Sequence, residues 1–301
     1  MKILWIILAL APSLLFAAEA VPTKEAVPEK KAVSKKEAAP KKGAAVKKSN
    51  SKITADADES NNDDDDGKEV LDSTKKYTEK QASEIVTKAE KIRAVSNAET
   101  EVSLRTIARK VDSDYVMIVK RGLGKRALVE FIAPPEENGR RLLIVKNKYW
   151  AKFPDSRKIH PISRREMLGN SVFGVVDLFQ LDVVHEYKAS IAGETKTRGH
   201  DCYKAVLDAR HDEVVYKKVE YYISKKDFYP IKARFYADSG RLLKTLFLTG
   251  RKKLAGKTRP HAFTMVDNIT KGRKSFWKTL KMKNEEIPNH IFRRSHLRKR
   301  N

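Results

Sequence analysis

The residues most able to hold a metal or move a proton are the seven histidines at positions 160, 185, 200, 211, 261, 290 and 296. No two stand at the i, i+4 helical spacing with a glutamate between them that a zinc hydrolase needs. His200, Cys202 and His211 come nearest to a ligand cluster, and they read as ordinary strand residues. No Gly-x-Ser-x-Gly elbow presents a nucleophile, and Asp238-Ser239-Gly240 reads as a hairpin turn. The segment from Arg121 to Lys125 is too short for a phosphate loop and lacks its hydroxyl. The acidic stretch from Asp56 to Asp66 resembles a calcium loop starting at Asn62, but its twelfth position is Ser73, where a bidentate glutamate is required. The expectation is a protein with no catalytic residues, no metal and no cofactor, whose chemistry is the burial of apolar surface.

Apolar side chains bind a ligand only if secondary structure gathers them on one face. Thr78 can cap a helix running from Gln81 to Val95, with Ala82, Ile85, Val86, Ala89 and Ile92 on one side. The period then changes to two. Strand-like runs follow at 101–109, 115–121, 126–133, 140–147 and 149–154, and again at 186–195, 200–210, 218–224, 230–237, 241–251, 259–267 and 274–282. Their short connections make them antiparallel. Ile231, Ala233 and Phe235 alternate with Lys232, Arg234 and Tyr236, so one face is apolar and the other wet. Between the two series of strands, residues 163–182 crowd Met167, Leu168, Val172, Phe173, Leu178 and Phe179 together in a texture that suits short helices. A sheet of this kind can curl around those helices and, if incompletely filled, leave a hollow.

The chain begins with the three parts of a secretory signal peptide: Lys2, an apolar run from Ile3 to Phe16, and small residues at Ala17, Ala18 and Ala20. The run is shorter than the roughly 20 residues needed to span a bilayer, and Pro12 interrupts it. Cleavage near Ala18 or Ala20 is expected, with no cysteine nearby to carry a lipid anchor. Residues 21–74 follow as a linker, first a Lys/Ala/Pro-rich repeat (VPTKEA, VPEKKA, VSKKEA, APKKGA) and then the Asp-rich stretch. The folded domain is expected over 75–292, and a basic tail over 293–301. Cys202 is the only cysteine, so no intrachain disulfide forms. The net charge of +24 suits polyanions. In an exported protein these are anionic membrane surfaces and cell wall, not nucleic acid.

The run EFIAPPEENGRRLLIVKNKYWAKFPDSRKIHPIS (130–163), then SVFGVVDL, then residues 201–247 with the Phe-Tyr-Pro-Ile step at Phe228 to Ile231 and the Tyr-Ala-Asp-Ser-Gly hairpin at Tyr236 to Gly240, resembles the bacterial outer-membrane lipoprotein-sorting protein family, relatives of the periplasmic carrier LolA. The likeness spans about Tyr77 to Phe292 and leaves out the linker. It implies a mainly β (α+β) fold, a curved, unclosed antiparallel β-barrel with helices covering its concave apolar face. It also implies a monomeric, non-enzymatic periplasmic carrier of lipid or lipoprotein acyl chains, with an inner-membrane exporter and an outer-membrane acceptor as partners. The carrier's lid-latching arginine has no assigned position here. The residues expected to line the cavity are Ile231, Ala233 and Phe235 on the strand, the aromatics Trp150 and Phe153, and Met167, Phe173, Leu178 and Phe179 as a lid. A second reading is an envelope scaffold whose basic arm and tail bind membrane, wall or exporter.

Overall fold

A computed structural model describes residues 69–109 and 112–298. The expected signal peptide, the repeat arm, the acidic stretch up to residue 68 and the last three residues of the expected tail lie outside the described residues.

One α-helix, α1 (Glu79–Arg93), leads the domain. Thr78 caps it as expected: its hydroxyl accepts the Gln81 N–H at 3.3 Å and the Gln81 side chain accepts the Thr78 N–H at 2.8 Å, so each residue satisfies a donor the helix leaves open. Ala82, Ile85, Val86 and Ala89 are buried. The helix stops two residues before the expected Val95, because Ala94 is already extended (φ −119°, ψ 136°) and the chain turns into the sheet there.

Thirteen strands follow: β1 (Ala98–Ile107), β2 (Ser113–Gly122), β3 (Arg126–Ala133), β4 (Arg141–Val145), β5 (Lys148–Lys152), β6 (Ile159–Pro161), β7 (Tyr187–Thr197), β8 (His200–Ala209), β9 (Lys218–Ser224), β10 (Pro230–Tyr236), β11 (Leu242–Leu254), β12 (Lys257–Asp267) and β13 (Lys274–Asn284). They form one antiparallel sheet in the order β6-β5-β4-β3-β2-β1-β13-β12-β11-β10-β9-β8-β7. It is two meanders joined where β1 pairs with β13, from Ala98 opposite Asn284 to Ile107 opposite Lys274, with a bulge between Glu101 and Val102. The sheet is unclosed, with β6 and β7 at its two ends. Three-residue β6 was not foreseen; it carries too little alternation to be read as a strand.

Because β6 and β7 are opposite ends of the sheet, the chain between them must travel from one edge to the other. Residues 162–186 do so over the inner face, where Leu168, Val172, Phe173, Val175, Leu178 and Val183 join one core with Val102, Met117, Val129, Ile144, Tyr221, Met265 and α1. The insert contains a single 3₁₀ helix, Val175–Leu178, and a bridge between Met167 and Gly174, rather than several helices.

The outer face is apolar in places as well. Leu128, Leu143 and Trp150 meet Ile287 and, on two 3₁₀ turns (Asn289–Phe292 and Arg294–Arg298), Phe292 and Leu297. A Cβ on Gly122 would stand 2.7 Å from the Phe292 ring, which explains a glycine at the end of β2. At the other end of the sheet, residues 69–74 run against β7. Asp72 and Glu194 exchange backbone hydrogen bonds of 2.8 and 2.7 Å, and the Tyr77 hydroxyl donates to the Glu194 carboxylate at 2.5 Å. This strap gives part of the open edge a pairing partner.

Candidate functional site

Between α1, the insert and the inner sheet lies a cavity of about 90 Å³. Its wall is mostly apolar: Leu168, Phe173, Leu178, Phe179, Ala233, Phe235, Leu246, Met265 and Trp277 contribute to it. Trp277 is wedged between Phe173 and Phe263, with ring centroids 5.6 and 6.4 Å away.

One end of the wall is charged, and the charges hold the insert down. Glu90, in the last turn of α1, accepts from Arg93 Nε and Nη2 at 2.8 Å each, from the Tyr221 hydroxyl at 2.8 Å and from the Leu181 N–H at 2.6 Å. Arg93 in turn donates to the Asp177 carbonyl at 3.2 Å and to the Phe179 carbonyl. Gln180 adds a bond from its side-chain amide to the Ala94 carbonyl, 2.8 Å. Burial works against the Arg93 charge, but Glu90 beside it holds the guanidinium above its usual range. A second buried pair, Lys244 Nζ to Asp177 Oδ2 at 2.7 Å, ties the insert to β11, and Tyr216 donates to Asp177 Oδ1 at 2.9 Å. Burial pushes the hydroxyls of Tyr216 and Tyr221 well above the ordinary tyrosine value, so both stay donors.

Arg121 (β2) and Arg259 (β12) also line the cavity. Burial, then the nearby charges of Arg93 and Arg259, push Arg121 down to about 10. Burial lowers Arg259 as well.

Of the nine residues expected at a cavity, the structure brings five to its wall: Phe173, Leu178, Phe179, Ala233 and Phe235. The other four lie elsewhere. Trp150 alternates with Tyr149, and it is Tyr149 that reaches the cavity while Trp150 packs under the C-terminal turns on the outer face. Phe153 is 38% exposed beyond the end of β5, beside His160 and under Arg140. Met167 sits where the insert bridges to Gly174 and does not reach the wall. Ile231 is displaced by a bulge in β10, where Pro230 pairs with Ile223 but Lys232 with Tyr222. The extra residue places Ile231 in a separate cluster with Cys202, Tyr222 and Tyr229.

Glu90, Arg93, Arg121 and Arg259 escaped notice in the sequence. A signal existed for two of them: Ala82, Val86, Glu90 and Arg93 continue one helical face at i, i+4, i+8 and i+11, so the charges extend the buried stripe. Among the described residues, no group of three or more His, Cys, Asp or Glu could hold a metal ion, and no helix is long and apolar enough to cross a membrane.

An open antiparallel sheet with a helix and a returning insert over its apolar face is the fold of the LolA superfamily, the outer-membrane lipoprotein-sorting type. A LolA superfamily protein from Nitrosomonas europaea is similar over 71% of this chain and 98% of its own, with 25% identity and a TM-score of 0.65. An outer membrane lipoprotein-sorting protein domain from Vibrio parahaemolyticus is similar over 74% of this chain and 100% of its own, at 19% identity and TM-score 0.65. A DUF1329 family protein from Desulfovibrio piger is similar over 72% and 98%, at 18% identity and TM-score 0.65. A family model described as "-like: Uncharacterized protein" matches residues 124–299, more than half of the chain, and the chain belongs to that family. No curated protein matches it.

Proposed function

We propose that this protein is a non-enzymatic carrier that shields acyl chains of a lipid or lipoprotein in the cavity between α1, the insert and the sheet. The observation that carries the reading is the apolar cavity, covered by an insert that packs its own apolar residues on the sheet and is fastened by polar contacts to α1 and β11. Each methylene moved from water into such a wall contributes about 0.8 kcal/mol, so one chain gives useful affinity without any covalent chemistry. The LolA-like fold supports the same reading.

The latched cavity is small. With the insert down it falls well short of the space a two-chain lipid needs. Loading therefore requires the insert to lift, breaking the bonds from Arg93 to the Asp177 and Phe179 carbonyls, from Leu181 to Glu90, and from Lys244 and Tyr216 to the Asp177 carboxylate. These contacts form a latch whose opening ligand burial can offset. In this reading the protein works in the periplasm, taking cargo from an inner-membrane exporter and passing it toward an outer-membrane acceptor.

Native mass spectrometry of protein recovered from the cell envelope tests the proposal. A co-purifying acyl lipid, lost on organic extraction and replaced by a fluorescent fatty-acid probe, is the expected result. Protein that carries no lipid and binds no probe contradicts it.

A further inference from the structure

Every carboxylate around the cavity is already taken by a cation, but not every cation has a carboxylate. Glu90 is held by Arg93, Asp177 by Lys244, and Glu186 by Lys125 at 2.8 Å and Arg164 at 3.2 Å. Arg121 and Arg259 remain. They are 9% and 6% exposed, and neither has a carboxylate partner among the described residues. Arg121 bonds the Thr100 hydroxyl at 3.1 Å and, at a long 3.4 Å, the Leu178 carbonyl of the insert. Arg259 spends one nitrogen, Nη1, on the carbonyls of Lys91 and Ile92 at the end of α1, which meets the negative end of the helix but leaves the rest of its fork unused. The Nε atoms of both are buried without a hydrogen-bond partner.

Two buried guanidinium groups without a counter-charge are costly in a largely apolar wall, and a purely apolar cargo gains nothing from them. Their free donors match an oxyanion, which a guanidinium fork takes with short, charge-assisted bonds. Resting on the carrier reading, we propose that Arg121 and Arg259 form an oxyanion subsite, and that the cargo is an acyl lipid with a carboxylate or phosphate head rather than the uncharged acyl chains of a lipoprotein. The chains lie against Phe173, Phe235 and Trp277, and the head enters the charged end. The insert carbonyl of Leu178, the weakest partner of Arg121, is the contact the head displaces, so binding and release of the insert are linked.

The test uses the full chain and a neutral fluorescent acyl ester as reporter, displaced by palmitate or by methyl palmitate, and by lysophosphatidate or by monoacylglycerol, all below their micelle concentrations. The anionic member of each pair should bind about tenfold to hundredfold more tightly than its neutral counterpart. Arg121→Gln and Arg259→Gln should each bring the anionic and the neutral member of a pair within about threefold of one another in the same variant. The wild-type comparison stands even if a variant fails to fold. Equal affinity of acid and ester overturns the subsite but leaves the carrier reading intact. Failure of all four lipids to displace the reporter overturns both. Displacement by inorganic phosphate as effective as that by lysophosphatidate overturns the assignment of the anion to a lipid head.

Discussion

Glu90→Gln isolates the latch with a nearly isosteric change. Glu90 is 2% exposed and accepts four hydrogen bonds, two of them from Arg93. Glutamine keeps one acceptor oxygen and turns the other position into a donor, which then faces the Arg93 fork or the Leu181 N–H. It also leaves the Arg93 guanidinium buried with no counter-charge. Breaking one side of a buried pair costs about 3–5 kcal/mol, and for a domain of this size each kcal/mol moves the melting temperature by about 2–4 °C. The expected fall is roughly 6–20 °C in thermal unfolding followed by circular dichroism, with a matching loss in urea. Glu79→Gln is the control: its pair with Arg210 is 44% and 39% exposed, so the change should stay within about 1 kcal/mol. Adding Arg93→Met to Glu90→Gln should restore much of the loss, because an apolar replacement of the whole pair removes the unpaired charge. If Glu90→Gln melts within about 1 kcal/mol of the parent, as Glu79→Gln should, the pair is not the latch described.

Three further outcomes follow from burial and charge. Cys202 is fully buried and burial pushes its thiol up to about 12, so a thiol reagent at neutral pH should modify it only after unfolding; labelling of the folded protein at the rate of a free thiol is the contrary result. Glu194 is held below its ordinary 4.5, first by the bond from Lys225 and then by that from Tyr77. Its contribution is therefore complete above about 4.5 and lost as pH falls through the lowered folded value, so the melting temperature should drop on acidification, with a shallower drop in Glu194→Gln. Leu297, fully buried against Leu128 and Leu143, should cost about 2–5 kcal/mol when changed to alanine; a neutral substitution would mean that the C-terminal turns do not cover the outer face.

Much of the sheet was legible because alternation is a local property. Ala233 and Phe235 were assigned to the inner face from their spacing with Lys232 and Arg234, and Thr78 marked the helix start by its reach to Gln81. Misassignments arose where a face is set by something distant. The stretch around Trp150 is apolar on both sides, since residues 287–297 return to cover the outer one, and nothing within β5 says which of Tyr149 and Trp150 faces inward. The bulge that displaces Ile231 inserts one residue without a glycine to mark it. The charged end of the cavity was hidden for a different reason. Arg121 and Arg259 are far apart in sequence and come to one cavity only because β1 and β13 pair between their strands.

The most direct measurement of where an acyl chain sits is quenching of tryptophan fluorescence by a brominated fatty acid. Trp277 lines the cavity, whereas Trp150 packs on the outer face. Saturable quenching that survives Trp150→Phe and disappears in Trp277→Phe is expected. Quenching that follows Trp150, or none at ligand concentrations that saturate a displacement assay, contradicts a chain buried between α1, the insert and the sheet.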